Sequence, residues 1–165
     1  MTTRVAKLLL LAAVALFYTL VIFNNLTDFD SNYQIVRHVL SMDTTFPGNH
    51  AMGRAIRSEG VHLAFYLSII AWEILTAALL WGGAVHLLLA LRRAAPAFNA
   101  AKRISIAALT LSLLMGLVAF LTVGGEWFLM GQSAAWNGQN AAFRMFVVVG
   151  LVPVVLLQPE TEGQP

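Results

Sequence analysis

Four long apolar segments constrain the fold of this 165-residue chain more than any other feature. They run over about residues 5–26, 61–91, 104–129 and 138–157. About 20 consecutive, mainly apolar residues are enough for a helix to cross a bilayer, and each segment reaches that length. Only 11% of the residues are charged, whereas soluble domains average about 25%. The pattern therefore predicts an all-α integral membrane protein, with the whole chain, 1–165, forming a single four-helix bundle.

The composition also excludes several functional classes. The chain has no cysteine, which excludes disulfides, iron–sulfur clusters, thiolate zinc sites and cysteine nucleophiles. The net charge is only +2, and there is no basic segment with interleaved aromatic residues of the kind that binds nucleic acid. We therefore expect the lipid bilayer as the partner of this chain, together with other membrane-protein subunits, and no nucleic acid.

The linker between the second and third segments sets the expected orientation. This linker, RRAAPAFNAAKR at 92–103, carries four positive charges and no acid. Because Lys and Arg close to the membrane favour the cytoplasmic side, we expect the linker in the cytoplasm. Alternation of the spans then places the N-terminus and the tail, 158–165, in the cytoplasm as well. The long loop, 27–60, is expected outside.

The outer loop contains the pattern of a short amphipathic helix. Ser31 and Gln34 match a capping box, which predicts that a helix begins just after Ser31. In the following IVRHVLSM, the apolar side chains fall on one helical face and the polar side chains on the other. We expect this helix on the outer membrane interface or over the mouth of the bundle. By similar reasoning, Asn137 is the predicted N-cap of the fourth span.

Small residues in the second and third spans affect how closely the helices can pack and whether they bend. Ala108, Ser112 and Gly116 recur every four residues, a spacing that lets two helices approach closely. The stripe serves packing within the bundle or docking onto a membrane helix of a partner. In the second span, the glycine pair 82–83 would permit a kink.

Three stretches of the chain together resemble a bacterial family. They are NNLTDFDSNYQIVRHVLSMDTTFP at 24–47, GGEWF at 124–128 and WNGQNAAFR at 136–144. The family is that of the predicted small integral membrane proteins, also called domain of unknown function 2165, and the resemblance covers about residues 5–157. It implies a four-span protein of the bacterial inner membrane. It implies no activity, cofactor or catalytic residue.

Glu73 is the strongest single functional signal. It lies near the middle of the second apolar segment, and an ionisable residue at that depth is costly and commonly functional. Helical spacing places His62, Tyr66 and Glu73 on one face. This polar face is either a short proton or ion path, or a set of satisfied polar groups that fixes helix register. In the second case Glu73 is protonated and hydrogen-bonded within the bundle.

Several polar residues are expected at the outer mouth of the bundle, because the topology brings four helix ends to that side. Arg144 lies about two turns inside the fourth span and needs an acidic partner there. We predict that Glu126 is this partner, with Asp28 as the reserve. The full predicted cluster comprises Asn25, Asp28, Glu126, Trp127, Asn137 and Arg144.

Histidine could supply a metal or haem site at the same mouth. The weak metal candidates are His38, His50 and His62, but their spacing matches no fixed motif such as HExxH. Bis-histidine haem needs ligands from facing helices, whereas His62 and His86 lie on one span, about 36 Å apart along its axis. We predict no cofactor, and leave haem and metal as open alternatives.

The sequence contains no recognisable enzyme motif. Neither a GxSxG elbow nor a GxGxxG or phosphate-binding loop occurs. The favoured hypothesis is therefore a non-enzymatic accessory or assembly component of a larger membrane complex. One alternative is a small proton- or ion-linked transporter that uses Glu73. A second alternative is a redox protein with a metal or haem at the outer mouth.

Overall fold

Four long helices carry the fold, and they confirm the predicted all-α membrane architecture. The computed structural model describes residues 1–161, so the end of the predicted tail, 162–165, lies outside the described part. No strand occurs within 1–161, since a helix satisfies its own backbone hydrogen bonds in lipid. The elements are α1 (Thr2–Thr27), α2 (Phe29–Ser41), α3 (Glu59–Ala90), α4 (Ala95–Ala101), α5 (Arg103–Leu114), a π-helical segment (Met115–Trp127) and α6 (Gln139–Leu157), with short 3-10 helices at Met52–Arg54 and Met130–Gln132.

The long helices run alternately up and down and pack mainly in sequence order. α1 packs along α3, α3 packs along α5, and α6 packs against α5 and the π-helical segment. Contacts between α6 and α1 are far fewer, so the bundle closes less tightly on that side. We call the end that carries both chain termini and the α3–α4 linker the terminal end. The opposite end, which carries α2, is the loop end.

The half of the bundle near the terminal end is tightly packed around a mainly apolar core. Leu11, Leu80 and Leu87 have no exposed surface. Gly83 lets α3 and α5 cross closely, because a Cβ there would lie 3.0 Å from both the backbone N and the Cα of Ser105. A contact this short leaves no room for any side chain at position 83.

The small residues of the second and third spans are used inside the bundle. α3 continues as a helix without a break through the glycine pair 82–83. Ala108 and Ser112 are buried between helices. A Cβ at Gly116 would meet Phe146 of α6 at 3.6 Å. The four-residue stripe therefore serves intramolecular packing.

The loop-end half of the third span is a π-helix, whereas the apolar pattern predicts a simple α-helical span. The segment Met115–Trp127 has π-helical geometry, and the amide of Phe128 donates to the carbonyl of Val123 at 3.0 Å. Gly124 and Gly125 near its end lower the cost of leaving α-helical geometry. π-helical turns are rare and frequently occur at functional sites.

Two predicted helix caps are displaced. α2 begins at Phe29, earlier than the capping box at Ser31 predicts, so the box is not used. Gly138 rather than Asn137 is the N-cap of α6. Asn137 still supports this helix start, because its Oδ1 accepts a hydrogen bond from the amide of Gln139 at 3.1 Å.

α2 lies over the loop end of the bundle. The ring of Phe29 packs against Tyr66 of α3 with centroids 4.9 Å apart. This contact draws the start of α2 close to the end of α1. Further along, Leu40 and Met42 are buried together with Phe128. Of the two placements that the amphipathic pattern predicts, the helix adopts the one over the mouth of the bundle.

Candidate functional site

Glu73 is the centre of a buried hydrogen-bonded site between α1 and α3. The residue is 6% exposed, and Asn25 Nδ2 donates to its Oε2 at 2.7 Å. Asn25 lies in the last turn of α1, about 16 Å along the axis from Val14 at the middle of that helix. Glu73 is therefore level with the loop end of α1 rather than with the middle of the bundle, although it is central in α3.

Tyr66 joins this site by capping the end of α1. Its Oη donates to the backbone carbonyl of Asn25 at 3.1 Å. The last carbonyls of a helix lack intrahelical partners, so this bond satisfies one of them. Tyr66 and Glu73 thus both bond to Asn25. Asn25, which was predicted to belong to the outer-mouth cluster, instead links these two residues of the polar face of α3.

His62 lies on the same buried face but serves the loop before α3. Its Nε2 donates to the carbonyl of Ile56 at 2.7 Å, since a carbonyl can only accept. Its Nδ1 is buried and makes no hydrogen bond within residues 1–161. His62 therefore anchors the loop and is not hydrogen-bonded to Tyr66 or Glu73.

A cavity of about 280 Å³ adjoins Glu73 in the loop-end half of the bundle. Its walls come from α1, α5, the π-helical segment and α6, and Ile35 of α2 lines the loop side. Only three lining side chains are polar: Glu73, Tyr18 and Ser112. Tyr18 Oη donates to Ser112 Oγ at 2.8 Å. An apolar cavity with a few convergent polar groups is the common form of a small-molecule site between bundle helices.

The predicted outer-mouth cluster does not assemble. Asn25 turns inward, whereas the remaining members are exposed, namely Asp28, Glu126, Trp127, Asn137 and Arg144. The predicted Arg144–Glu126 pair is wrong: Arg144 Nε donates to the carbonyl of Asn140 at 3.3 Å, and neither charge is in an ion pair of the described chain. Glu126 lies in the π-helical segment. The wider turn of a π-helix gives this side chain a different direction from the one that an α-helix would give it, and the prediction assumed an α-helix.

The candidate metal ligands also lie apart. His38 Nδ1 is 2.8 Å from Asp43 Oδ2, and its ring stacks on Trp136 with centroids 4.5 Å apart. His50 is exposed, and His62 is buried against the loop. Across residues 1–161, no three His, Asp or Glu side chains are grouped so that they could hold a metal ion.

A buried charged cluster at the terminal end was not predicted from the sequence. Lys7 and Lys102 are only 4% and 3% exposed. Lys7 Nζ donates to Glu160 Oε1 at 2.6 Å, and both ammonium groups donate to the carbonyl of Gln158, at 2.7 and 2.8 Å. We call Lys7, Lys102, Gln158 and Glu160, together with Arg4, the terminal latch.

The latch ties three parts of the chain together. Arg4 Nη1 donates to the carbonyls of Leu91 and Arg93 at 3.0 and 2.7 Å, and its Nε is 3.4 Å from Glu160 Oε2. The hydrogen bond from Lys7 holds the pKa of the Glu160 carboxyl below its usual range. The sequence signal for this contact was the acidic tail, which contains Glu160 and Glu162 and was expected on the same side as the basic residues near the N-terminus.

This architecture defines a class: a four-span, all-α integral membrane protein with a buried carboxyl site under an ordered loop cap. The model of one family, the predicted small integral membrane proteins (DUF2165), matches residues 3–159, so the chain belongs to that family. The family assignment confirms the resemblance found in the sequence. The chain matches no curated protein and no solved structure at a significant level.

Proposed function

We propose that this protein is a non-enzymatic component of the bacterial inner membrane that docks, through the outward face of α6, onto a helix of a larger membrane complex. The observation that carries the proposal is an exposed arginine within an apolar helix face. Arg144 is exposed near the loop end of α6, and it makes no ion pair within residues 1–161.

The surroundings of Arg144 favour a protein partner. α6 has the least buried apolar stretch of the four long helices, at 17% against 28–33%. Arginine stays charged in a protein, so next to lipid its guanidinium requires an anion, carbonyls or the interface. A partner helix with a carboxylate near its outer end would supply the anion and cover the face. The exposed apolar residues of this face are Phe143, Val147, Val148, Leu151, Val154 and Leu157.

We propose that the terminal end faces the cytoplasm. The terminal latch holds both described chain ends and the α3–α4 linker on one side. Arg92, Arg93 and Arg103 are exposed on that side. Basic residues in short loops favour the cytoplasmic side of the membrane. These exposed arginines therefore support the orientation that the linker sequence predicts. The loop end, with α2, then faces the periplasm.

Transport through Glu73 has weaker support. The polar groups of α3 extend from the loop end to Glu73 and Thr76, and both are buried. Beyond them, the fully buried Leu11, Leu80 and Leu87 separate these polar groups from the buried Ser105 and Lys102 near the terminal end. A proton or ion path needs polar groups or water across the whole bilayer. The polar side chains of α3 support a site that opens toward the loop end rather than a continuous path.

Site-specific photocrosslinking in intact cells tests the docking proposal. A crosslinker at Leu151 on α6 is compared with one at Leu75 on α3, since both leucines are exposed to a similar degree, 62% and 51%. We expect one discrete adduct from Leu151 that Arg144→Glu abolishes and Arg144→Lys retains. Arg57→Glu, a charge reversal in the exposed loop, is the control. Equal adducts from both leucines, or an adduct unaffected by Arg144→Glu, would contradict the proposal.

A further inference from the structure

We propose that the cavity beside Glu73 binds a single-chain amphiphile with an amine head group, whose ammonium contacts the Glu73 carboxylate. The site is separate from the α6 docking face, so the two proposals stand or fall independently. Three features of the site favour such a ligand: the free oxygen of Glu73, the form of the cavity and the level of the cavity in the bilayer.

The carboxyl of Glu73 has one oxygen left for a ligand. Oε2 accepts the hydrogen bond from Asn25, whereas Oε1 accepts none within residues 1–161. The hydrogen-bond partner is a neutral amide, and Glu73 makes no ion pair in the described chain. A buried carboxylate without a cation is costly. A cationic head group that reaches Oε1 removes this cost. We therefore expect it to bind more tightly than a neutral head group.

The form of the cavity fits a chain with a polar head. At about 280 Å³, it is close to the lower end of the roughly 300–1,000 Å³ range of small-molecule pockets. Its remaining lining is apolar apart from the hydroxyl pair of Tyr18 and Ser112. An alkyl chain thus fits the cavity, and a single carboxyl fixes one end of it.

The cavity reaches the outside of the bundle between α1 and α6. Phe17 and Val21 on one flank, and Ala141 on the other, line the cavity and are also partly exposed. This is the side on which α1 and α6 make few contacts. A chain longer than the cavity can therefore extend between these helices into lipid, as a single-chain amphiphile requires.

The level of Glu73 suits a head group from the membrane interface. Because Glu73 bonds to the last turn of α1, it lies toward the loop end of the spans. An ammonium that enters from that interface does not have to cross the middle of the bilayer, where a charge is most costly. The same level lets α2, through Ile35, cover the occupied site.

Three probes of equal chain length test the proposal: dodecylamine, dodecanol and dodecanoic acid, measured by native mass spectrometry of the full chain in detergent micelles. We expect the amine to bind at least about tenfold more tightly than the alcohol, as charge-assisted hydrogen bonds exceed neutral ones, and the acid to bind weakest. Glu73→Gln should abolish the preference for amine over alcohol. Glu126→Gln, at an exposed acid, should leave the preference unchanged.

A second variant locates the site without altering Glu73. Ala142 lines the cavity from α6, so Ala142→Phe should fill the cavity and reduce binding of both amine and alcohol by about tenfold or more. Equal affinity for amine and alcohol in the unmodified protein would overturn the proposal even if Glu73→Gln does not fold. Binding unaffected by Ala142→Phe, or an amine preference retained in Glu73→Gln, would overturn it as well.

Discussion

At the terminal end of the bundle, the buried Lys7 is paired with a carboxylate and the buried Lys102 is bonded to two neutral oxygens, whereas at the loop end a buried acid has a single neutral donor. Lys7 donates to Glu160 and to the carbonyl of Gln158. Lys102 donates to the side-chain oxygen of Asn99 and to the same carbonyl. Glu73 receives a single hydrogen bond, from Asn25. The terminal half is also tightly packed, and the loop-end half contains the cavity and the π-helix.

The two halves therefore contribute differently: one stabilises the fold, and the other can hold a functional site. Matched charges and close helix crossings stabilise one native arrangement. Unmatched polar groups and loose packing lower stability, and proteins retain them mainly at functional sites. The terminal half of this bundle is thus the scaffold, and the loop-end half carries the candidate site.

The largest effect is expected from breaking the terminal latch. Lys7→Ala leaves Glu160 with only the longer contact from Arg4, and loss of one partner of a buried pair costs about 3 kcal/mol. Thermal unfolding in detergent, followed by circular dichroism, measures the loss of stability. Arg92→Ala, at an exposed position in the linker, is the matched control. If Lys7→Ala and Arg92→Ala unfold at the same temperature, the latch does not stabilise the terminal end.

Glycine substitutions compare packing in the two halves. Gly83→Ala forces α3 away from Ser105 and should cost about 1–3 kcal/mol, the range for overpacking. Gly116→Ala, in the cavity wall, meets its nearest neighbour at 3.6 Å and should change stability by less than about 0.5 kcal/mol. Gly82→Ala controls for helix propensity, because nothing lies within 4 Å of its added Cβ. If Gly83→Ala and Gly116→Ala lower the free energy of unfolding by similar amounts, the two halves do not differ in how tightly they are packed.

Variants of Glu73 measure how much its hydrogen bond with Asn25 stabilises the loop-end half. Glu73→Gln should preserve folding, because an amide can still accept the hydrogen bond from Asn25. Glu73→Leu should cost about 1–2 kcal/mol, since it leaves the Asn25 amide buried without an acceptor. Denaturation of Glu73→Leu, of Asn25→Leu and of the double variant Asn25→Leu/Glu73→Leu measures the coupling. A double variant as destabilised as the sum of the single ones would show that the bond contributes nothing.

The smallest expected effect is the dependence of stability on pH that Glu160 causes at the terminal end. The pKa of Glu160 lies below its ordinary value of 4.5, so the folded state favours the charged carboxylate. Its stabilising contribution is present above about pH 4.5 and is lost as the pH falls through the lowered pKa. Unfolding temperatures between pH 7 and pH 3 should therefore fall more steeply for the unmodified protein than for Glu160→Gln. Parallel curves would mean that the charge of Glu160 is not coupled to folding.

Part of the site could be predicted from the sequence. The shared face of Tyr66 and Glu73 followed from helical spacing, because both residues lie on one element. Asn25 was expected at the outer mouth, yet it bonds to Glu73, because helix spacing says nothing about the register of α1 against α3. The Arg144–Glu126 pair failed for a similar reason: pairing depends on how two helices are rotated.

The apolar pattern of the sequence was enough to predict the membrane class, the four spans and the amphipathic α2. Lipid requires each span to satisfy its own backbone, so twenty apolar residues leave little alternative to a helix. Which polar groups meet could be read only from the folded chain: Lys7 pairs with Glu160, and Asn25 bonds to Glu73. Arg144 forms no ion pair with an acid of the described chain. These contacts depend on the axial register and rotation of separate helices, which follow from packing of whole surfaces and not from the pattern of any one segment.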